Sequence, residues 1–302
     1  FAVICLGYCA GRSQFFNQQA TAYLTKFVFY FALSAMLFRF SSAMSLGEIF
    51  DGSFVLAYFL GTLVVYTLAT AVALWRQKPM AEAAIEAQCA VIGNVGFLGI
   101  PMLILLLGPK AVGPVMLVLA VDLIFFGSLV VMLVTGSRGF AMFATSAAGL
   151  VKNPMIVSIS LGLCWSALSL PIPAPLNDFV TILGGAATPG ALFAIGASLA
   201  FKSAERLEVA AWLSFCKLIL HPACVAFSAF VVFSVERYSA GVMVAAAALP
   251  VAGNVYIISQ HYGVAPQRVS ASILISTGIS IVTLSVVIAL IGAGLVPGQN
   301  PS

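Results

Sequence analysis

The sequence predicts an all-α membrane protein of ten transmembrane helices, arranged as two inverted repeats of five. Three observations lead there: an apolar composition, apolar stretches of membrane-spanning length along nearly the whole chain, and one tripeptide shared by the two halves. Of the 302 residues, 62% are hydrophobic and 7% are charged, and the mean hydropathy is +1.13. Soluble domains carry about 25% charged residues, so the composition excludes an ordinary soluble protein.

Ten apolar stretches approach the length of about 20 residues that crosses the hydrocarbon of a bilayer. The predicted spans are Phe1–Ala10, Ala22–Phe40, Phe54–Trp75, Ala83–Leu107, Val112–Thr135, Val151–Leu168, Leu176–Phe201, Val209–Phe233, Ala240–His261 and Val269–Ala293. The first is short, and we expect a truncated or processed span there rather than a signal peptide. The polar residues between spans 5 and 6 divide the chain into repeats at 1–150 and 151–302.

The tripeptide Gly-Asn-Val occurs in span 4 at 93–95 and in span 9 at 253–255. A less specific similarity joins 32–38 in span 2 to 187–193 in span 7. The two offsets, 160 and 155 residues, agree closely enough to indicate an internal repeat. Since five is an odd number of spans, the two repeats run through the membrane in opposite directions.

Proline and glycine beside both copies predict that spans 4 and 9 are broken and cross. Proline lacks the N–H of a helical hydrogen bond and clashes with an earlier carbonyl. In hydrocarbon such a break requires protein or water to satisfy the freed groups, and paired broken spans mark a transporter's binding site. The residues concerned are Gly96, Gly99 and Pro101 in span 4 and Pro250 in span 9. Pro189, followed by Gly190, could bend span 7 in a similar way.

Asn94 and Asn254 are the first candidates for binding a substrate, because an asparagine in hydrocarbon needs hydrogen-bond partners. With Gly93 and Gly253 they would place helix N-termini and amide groups around an anion. The alternative is that each asparagine only caps a helix break. Tyr256, next to the second break, is a candidate for the pocket wall.

Ionisable residues inside the predicted spans are few, and such residues often mark transport or proton pathways. Asp122 lies in span 5, and Lys217 and His221 lie one turn apart in span 8. A proton-coupled carrier needs a group that changes charge, and His221 or Asp122 could do this. In the alternative reading, Lys217 extends toward the interface and His221 bonds a backbone carbonyl.

Lysine and arginine are unequally distributed between the connecting loops. Loops after odd-numbered spans hold Arg12, Arg76, Lys78, Arg138, Lys152, Lys202, Arg206 and Arg268, whereas loops after even-numbered spans hold Arg39, Lys110 and Arg237. The positive-inside rule therefore places the odd-numbered loops in the cytoplasm and both termini outside it.

The chain resembles the auxin efflux carrier family, in particular its bacterial malonate-permease-like branch. The segments that carry the resemblance are 26–33, 93–101, 152–154, 188–196, 221–222, 249–250 with Asn254, and 276–277, of which 93–101 and 188–196 are specific. The family pattern usually has proline where this chain has Ser34. The resemblance therefore does not predict a bend in span 2 of this chain, although the crossover is unaffected.

The resemblance implies a sodium/proton antiporter-like fold, similar also to bile acid symporters, with scaffold and transport domains each assembled from both repeats. It implies elevator-type transport of a small organic anion across the plasma membrane, the inner membrane of a bacterium. Asn94 and Asn254 then fall where helices 4 and 9 cross, beside Pro101 and Pro250. The fold relatives also lead us to expect a homodimer.

We therefore expect a secondary carrier of a mono- or dicarboxylate, driven by membrane potential or a proton gradient. Two alternatives are a sodium-coupled symporter and a non-transporting receptor for a carboxylate. An enzyme is not expected, since the chain has two histidines and no H-E-x-x-H motif. No cofactor, metal or nucleic acid is expected, because the net charge is only +4 and the six cysteines form no C-x-x-C pair.

Overall fold

A computed structural model describes residues 2–43, 51–136, 154–201 and 207–293, and most of these residues are helical. The described part of the chain contains no strand, only one isolated bridge between Gly93 and Val251. The helices, labelled in chain order, are α1 (Ala2–Arg12), α2 (Gln18–Ser41), α3 (Gly52–Trp75), α4 (Met80–Val91), α5 (Val95–Leu107), α6 (Pro109–Thr135), α7 (Pro154–Ala167), α8 (Ala174–Gly185), α9 (Ala187–Leu199), α10 (Leu207–Val232), α11 (Arg237–Ala247), α12 (Gly253–Tyr262) and α13 (Pro266–Gly292).

Six helical stretches are long and apolar enough to cross a membrane: α2, α3, α6, α8 with α9, α10 and α13. Shorter apolar helices occur in α1, α5 and α7. This confirms the predicted all-α membrane protein, and each of the ten predicted spans contains helix among the described residues. Arg138, Lys152, Lys202 and Arg206, which entered the orientation prediction, lie outside the described residues, as does most of the 152–154 segment.

The described helices group into two compact units, and each unit draws on both halves of the sequence. The first unit contains α1, α2, residues 96–113 and α7 to α9. The second contains α3, α4, the remainder of α6 and α10 to α13.

Within the first unit, α1 packs against α9 through small residues. A methyl group on Gly7 would lie 2.1 Å from the carbonyl oxygen of Phe193, and one on Gly196 would lie 2.0 Å from that of Ile4. Glycine at both positions therefore lets the two backbones touch, as small residues do between membrane helices.

Pro189 lies in this unit near the junction of α8 and α9, as the sequence analysis expected of a bend in span 7. Without an N–H, Pro189 cannot bond the carbonyl of Gly185, where α8 ends. Ser34, its counterpart in span 2, lies in a continuous helix that contains a π-helical turn at Val28–Ala32.

In the second unit, α4 and α11 form a buried pair of short helices. All of 83–91 in α4 and 240–247 in α11 are buried. Both segments are rich in alanine, and burial on every side is typical of a helix surrounded by other helices. Both helices end in the middle of their predicted spans, and these ends form the site described next.

Candidate functional site

Spans 4 and 9 are both broken, and their breaks meet at residues 92–94 and 250–252, which we call the crossover. The backbone N–H of Asn94 donates to the carbonyl of Pro250 over 2.8 Å. The N–H of Ala252 donates to the carbonyl of Ile92 over 3.1 Å, so the two breaks form a short antiparallel bridge. The helices are interrupted at both places, and the freed backbone groups bond each other as a membrane interior requires.

A serine from a third helix completes the backbone bonding of the second break. The hydroxyl of Ser276 in α13 accepts a hydrogen bond from the N–H of Val251 over 3.1 Å. Because that N–H is buried, its loss of a partner would be costly. The sequence analysis noted Ser276 only as part of the family resemblance.

Asn94 and Asn254 lie on the two sides of this bridge with their side chains available. Neither side-chain amide makes a hydrogen bond within the described residues. Asn94 is half-buried and Asn254 is exposed. An asparagine amide offers two donors and an acceptor, so both remain available to a ligand.

Gly93 and Gly253 have different surroundings. A methyl group on Gly93 would lie 3.2 Å from the carbonyl oxygen of Ala246 and 3.3 Å from Nζ of Lys217. No atom lies within 4 Å of the corresponding position on Gly253. Gly253 begins α12, whose first turn has no side-chain cap and therefore presents N–H groups to the space beside it.

The other residues predicted at the breaks occupy different places. Pro250 lies in the second break itself. Pro101 does not lie at the first break: it is buried in α5, just after the π-helical turn Val95–Gly99. Gly96 and Gly99 belong to the π-helical turn Val95–Gly99 that follows the break. Tyr256 is half-buried in α12, and its hydroxyl accepts a hydrogen bond from Gln260 over 2.9 Å.

Lys217 and His221 lie together, fully buried, behind the crossover. Nζ of Lys217 hydrogen-bonds the carbonyl of Ala247, the last residue of α11, and lies 3.0 Å from Nδ1 of His221. The other ring nitrogen, Nε2, lies 3.0 Å from the hydroxyl of Thr62 in α3. A cation at a helix C-terminus compensates the partial negative charge of the last carbonyls.

Asp122 is buried in the same unit and receives a hydrogen bond from another helix. The hydroxyl of Tyr58 in α3 donates to Oδ1 of Asp122 over 2.8 Å. The second carboxylate oxygen, Oδ2, is buried and has no hydrogen-bond partner. We call Tyr58, Thr62, Asp122, Lys217 and His221 together the polar cluster.

The two charged residues of the polar cluster both lie in π-helical turns. Asp122 begins the turn Asp122–Phe126, and Lys217 belongs to the turn Cys216–Leu220. Such turns are rare and occur often at functional sites. Reasoning from the sequence missed Tyr58 and Thr62, although two polar residues one helical turn apart in a long apolar span are a detectable signal.

A second charged group lies at the ends of three helices of this unit. Glu86 of α4 is almost fully buried and is ion-paired to both Arg76 and Arg268, the second at 2.7 Å. Arg268 also reaches Glu82 at 2.7 Å. We call these four residues the ion cluster. Its charges balance, which indicates a structural role for Glu86, and no set of three or more metal-ligating side chains gathers among the described residues.

Two comparisons with known proteins show what this chain is similar to. The family model described as "Membrane transport protein" matches residues 1–144 and 138–288. A protein of Rhizobium meliloti (strain 1021), described as "Putative malonate transporter", is 31% identical over 306 residues, which cover 99% of this chain and 96% of that protein.

Proposed function

Because the chain belongs to the membrane transport protein family, the auxin efflux carrier family that its sequence resembles, we propose that it is a secondary carrier of a small carboxylate. It is a multi-pass membrane transporter and not an enzyme. The proposal goes further in naming the substrate class, the site and the driving force. A dicarboxylate such as malonate is the first substrate to test, given the description of the relative in Rhizobium meliloti.

One observation carries the proposal: the side-chain amides of Asn94, in the crossover, and Asn254, just after it, have no hydrogen-bond partner in the described chain. Beside Asn254, the uncapped N-terminus of α12 directs N–H groups and partial positive charge toward open space at Gly253. A carboxylate is the ligand that such donors suit best. In this proposal Asn94 and Asn254 bind the carboxylate, Gly93 and Gly253 let the backbone approach it, and Tyr256 forms part of the wall.

The proposed architecture is ten spans in two inverted repeats, with scaffold and transport domains drawn from both. Each compact unit combines segments of both halves, which supports this division. A third similarity between the halves supports the repeat: α6 begins with Pro109-Lys110-Ala111-Val112 and α13 with Pro266-Gln267-Arg268-Val269. The offset of 157 residues lies between the other two. Elevator movement of the transport domain would then carry the crossover across the membrane.

In its cellular setting, we place the protein in a bacterial inner membrane with both termini outside the cytoplasm, and we expect a homodimer. No nucleotide-binding motif occurs in the chain, so the proposed driving force is the membrane potential or a proton gradient. The sodium-coupled alternative is weaker, because a dedicated cation site is built from several acidic groups. Asp122 is the one acidic side chain of the polar cluster.

The test is uptake of labelled malonate into proteoliposomes, with related mono- and dicarboxylates as competitors. We expect concentrative uptake and counterflow by the wild type. Asn94→Ala and Asn254→Ala should each lose most of it while retaining the wild-type thermal unfolding profile. Asn177→Ala is the matched control, since Asn177 is exposed in α8, away from the crossover residues in sequence.

Three results would contradict the proposal or part of it. Binding of malonate without counterflow would indicate a receptor instead. Uptake that stays at wild-type rates in both asparagine variants would remove the crossover amides from the site. Dependence on a sodium gradient, with no effect of pH or potential, would favour the symporter.

A further inference from the structure

The polar cluster joins three long helices of the second unit inside an apolar surrounding. Tyr58 and Thr62 come from α3, Asp122 from α6, and Lys217 and His221 from α10. All five are buried. Buried ionisable groups in membrane helices are costly, and they mark ion or proton pathways more often than structural contacts.

The side chain of Lys217 ends next to the crossover. Its Nζ donates to the carbonyl of Ala247 at the C-terminus of α11, where positive charge is favoured. The same atom lies 3.3 Å from where a methyl group on Gly93 would be. The charge of Lys217 is therefore directly behind the backbone that we propose to bind the carboxylate.

His221 is fixed as a neutral ring by its two neighbours. An ammonium group has only donors, so Nδ1 of His221 must accept from Lys217. Nε2 then carries the hydrogen and donates to the hydroxyl of Thr62. A second proton on His221 would set two positive charges against each other, because Nδ1 lies 3.0 Å from Nζ of Lys217.

Asp122 differs from His221 because one of its acceptors is open. Oδ1 accepts from Tyr58, whereas Oδ2 is buried without a partner in the described structure. Asp122 interacts with the charge of Lys217, but no direct ion pair joins them among the described residues. The ionisable groups around Asp122 are thus Tyr58 on α3 and Lys217 on α10, with the ring of His221 5.9 Å beyond that of Tyr58. Glu86, the other buried carboxylate of this unit, has both oxygens engaged by arginines.

We propose that Asp122 takes up and releases a proton at Oδ2, and that one proton travels with each anion in the same direction. With Asp122 ionised, its charge offsets that of Lys217 and the cluster is neutral. With Asp122 protonated, the charge of Lys217 remains to be balanced by an anion at the crossover. The empty carrier returns with Asp122 ionised and the loaded carrier crosses with Asp122 protonated, so neither exposes an uncompensated Lys217 to the bilayer. This inference rests on the proposed function.

The decisive variant is Asp122→Asn, which keeps the acceptor for Tyr58 and cannot bind or release the proton. The loaded form should still cross, so exchange of labelled for unlabelled malonate should continue and lose its pH dependence. Return of the empty carrier would carry the unbalanced charge of Lys217, so net uptake driven by a pH gradient should fall about a hundredfold.

Two further variants separate Asp122 from its neighbours. Tyr58→Phe removes the donor to the ionised carboxylate, so the midpoint of the exchange pH profile should move to higher pH. His221→Gln should change the transport rate but retain uptake driven by a pH gradient. A profile unchanged in Tyr58→Phe would count against Asp122 as the titrating group, and loss of coupling in His221→Gln with coupling intact in Asp122→Asn would assign the proton to His221.

The outcomes distinguish this inference from the proposed function. Absence of malonate transport in the wild type would overturn the proposed function and the inference with it. Transport that is concentrative but indifferent to a proton gradient would leave the carrier standing and overturn the inference, as would gradient-driven uptake at the wild-type level in Asp122→Asn.

Discussion

The two copies of Gly-Asn-Val are identical in sequence and joined by one bridge, yet their surroundings differ. In the first copy Gly93 is crowded by Ala246, Leu249 and Lys217, and Asn94 is half-buried. In the second copy Gly253 has open space around it and Asn254 is exposed. After the first break the chain continues in a π-helical turn, whereas the second break leads directly into the N-terminus of α12.

This difference indicates that the two copies have different roles, although their sequences are identical. The first copy holds the crossing backbones together and lies against the buried lysine. The second copy provides the open helix N-terminus that the proposed function assigns to the carboxylate. Substitutions at matched positions of the two copies, and of the helices that lead into them, can test this difference in role.

The largest effect on stability is expected from a substitution in the ion cluster. The helices α4 and α11 each lead into a break, but different contacts hold them in place. α4 is anchored by Glu86 in the ion cluster, whereas the buried part of α11 contains no charged side chain. Glu86→Gln leaves Arg76 and Arg268 with fewer negative partners. We expect it to lower the free energy of unfolding by about 3 kcal/mol, as for other broken buried ion pairs.

The measurement for Glu86→Gln is thermal and denaturant unfolding in detergent, alongside Glu208→Gln as control. Glu208 is exposed in the first turn of α10, so its substitution should change stability by less than about 0.5 kcal/mol. Equal stability of the two variants would show that the ion cluster does not anchor α4.

A smaller effect, opposite in sign at the two copies, is expected from alanine at the glycines. Gly93→Ala forces a methyl group between Ala246 and Lys217, and overpacking of this kind costs about 1–3 kcal/mol. Gly253→Ala meets no atom and restricts the unfolded chain, so it should be neutral or stabilising by up to about 1 kcal/mol.

Unfolding and malonate uptake should be measured together for the glycine pair. We expect Gly93→Ala to lose both stability and uptake. Gly253→Ala should stay folded but raise the KM for malonate, because its methyl group would enter the space where the carboxylate binds. If Gly253→Ala leaves the KM unchanged, the anion does not bind at the start of α12.

The sequence predicts helices where a local signal exists and fails where the structure depends on distant partners. Hydropathy places helix in all ten spans, and glycine, asparagine and proline locate both breaks. Pro101 was expected at the first break because it follows the tripeptide, but it lies inside α5, where the π-helical turn passes into α-helix. The break is set by the bridge to span 9, which is a tertiary interaction.

The polar residues show the same limit. Lys217 and His221 are one turn apart, and their contact follows from helix geometry alone. The bond from Tyr58 to Asp122 and the pairing of Glu86 with Arg268 join distant parts of the chain, and single-sequence periodicity contains no information on them. The different surroundings of Gly93 and Gly253 have the same origin, since the residues that crowd Gly93 belong to spans 8 and 9.

The smallest predicted difference concerns the starts of the helices α4 and α11. Pro79 precedes α4 without a side-chain cap, whereas the carboxylate of Glu236 caps α11. Burial alone would raise the pKa of Glu236, but hydrogen bonds from the N–H groups of Ser239 and Tyr238 outweigh it and hold the pKa below its usual value of 4.5. A pKa that is lower in the folded state adds stability that is complete above 4.5 and disappears as the pH falls through the folded value.

Glu236→Ala should therefore lose at most about 1 kcal/mol at neutral pH, because Glu236 is exposed to solvent. Thermal unfolding midpoints of the variant and the wild type, measured in detergent from neutral to acid pH, should converge as the carboxylate is protonated. A gap that stays constant over this range would mean that the charge of Glu236 does not stabilise α11. In that case the starts of α4 and α11 would not differ in stability through a charged cap.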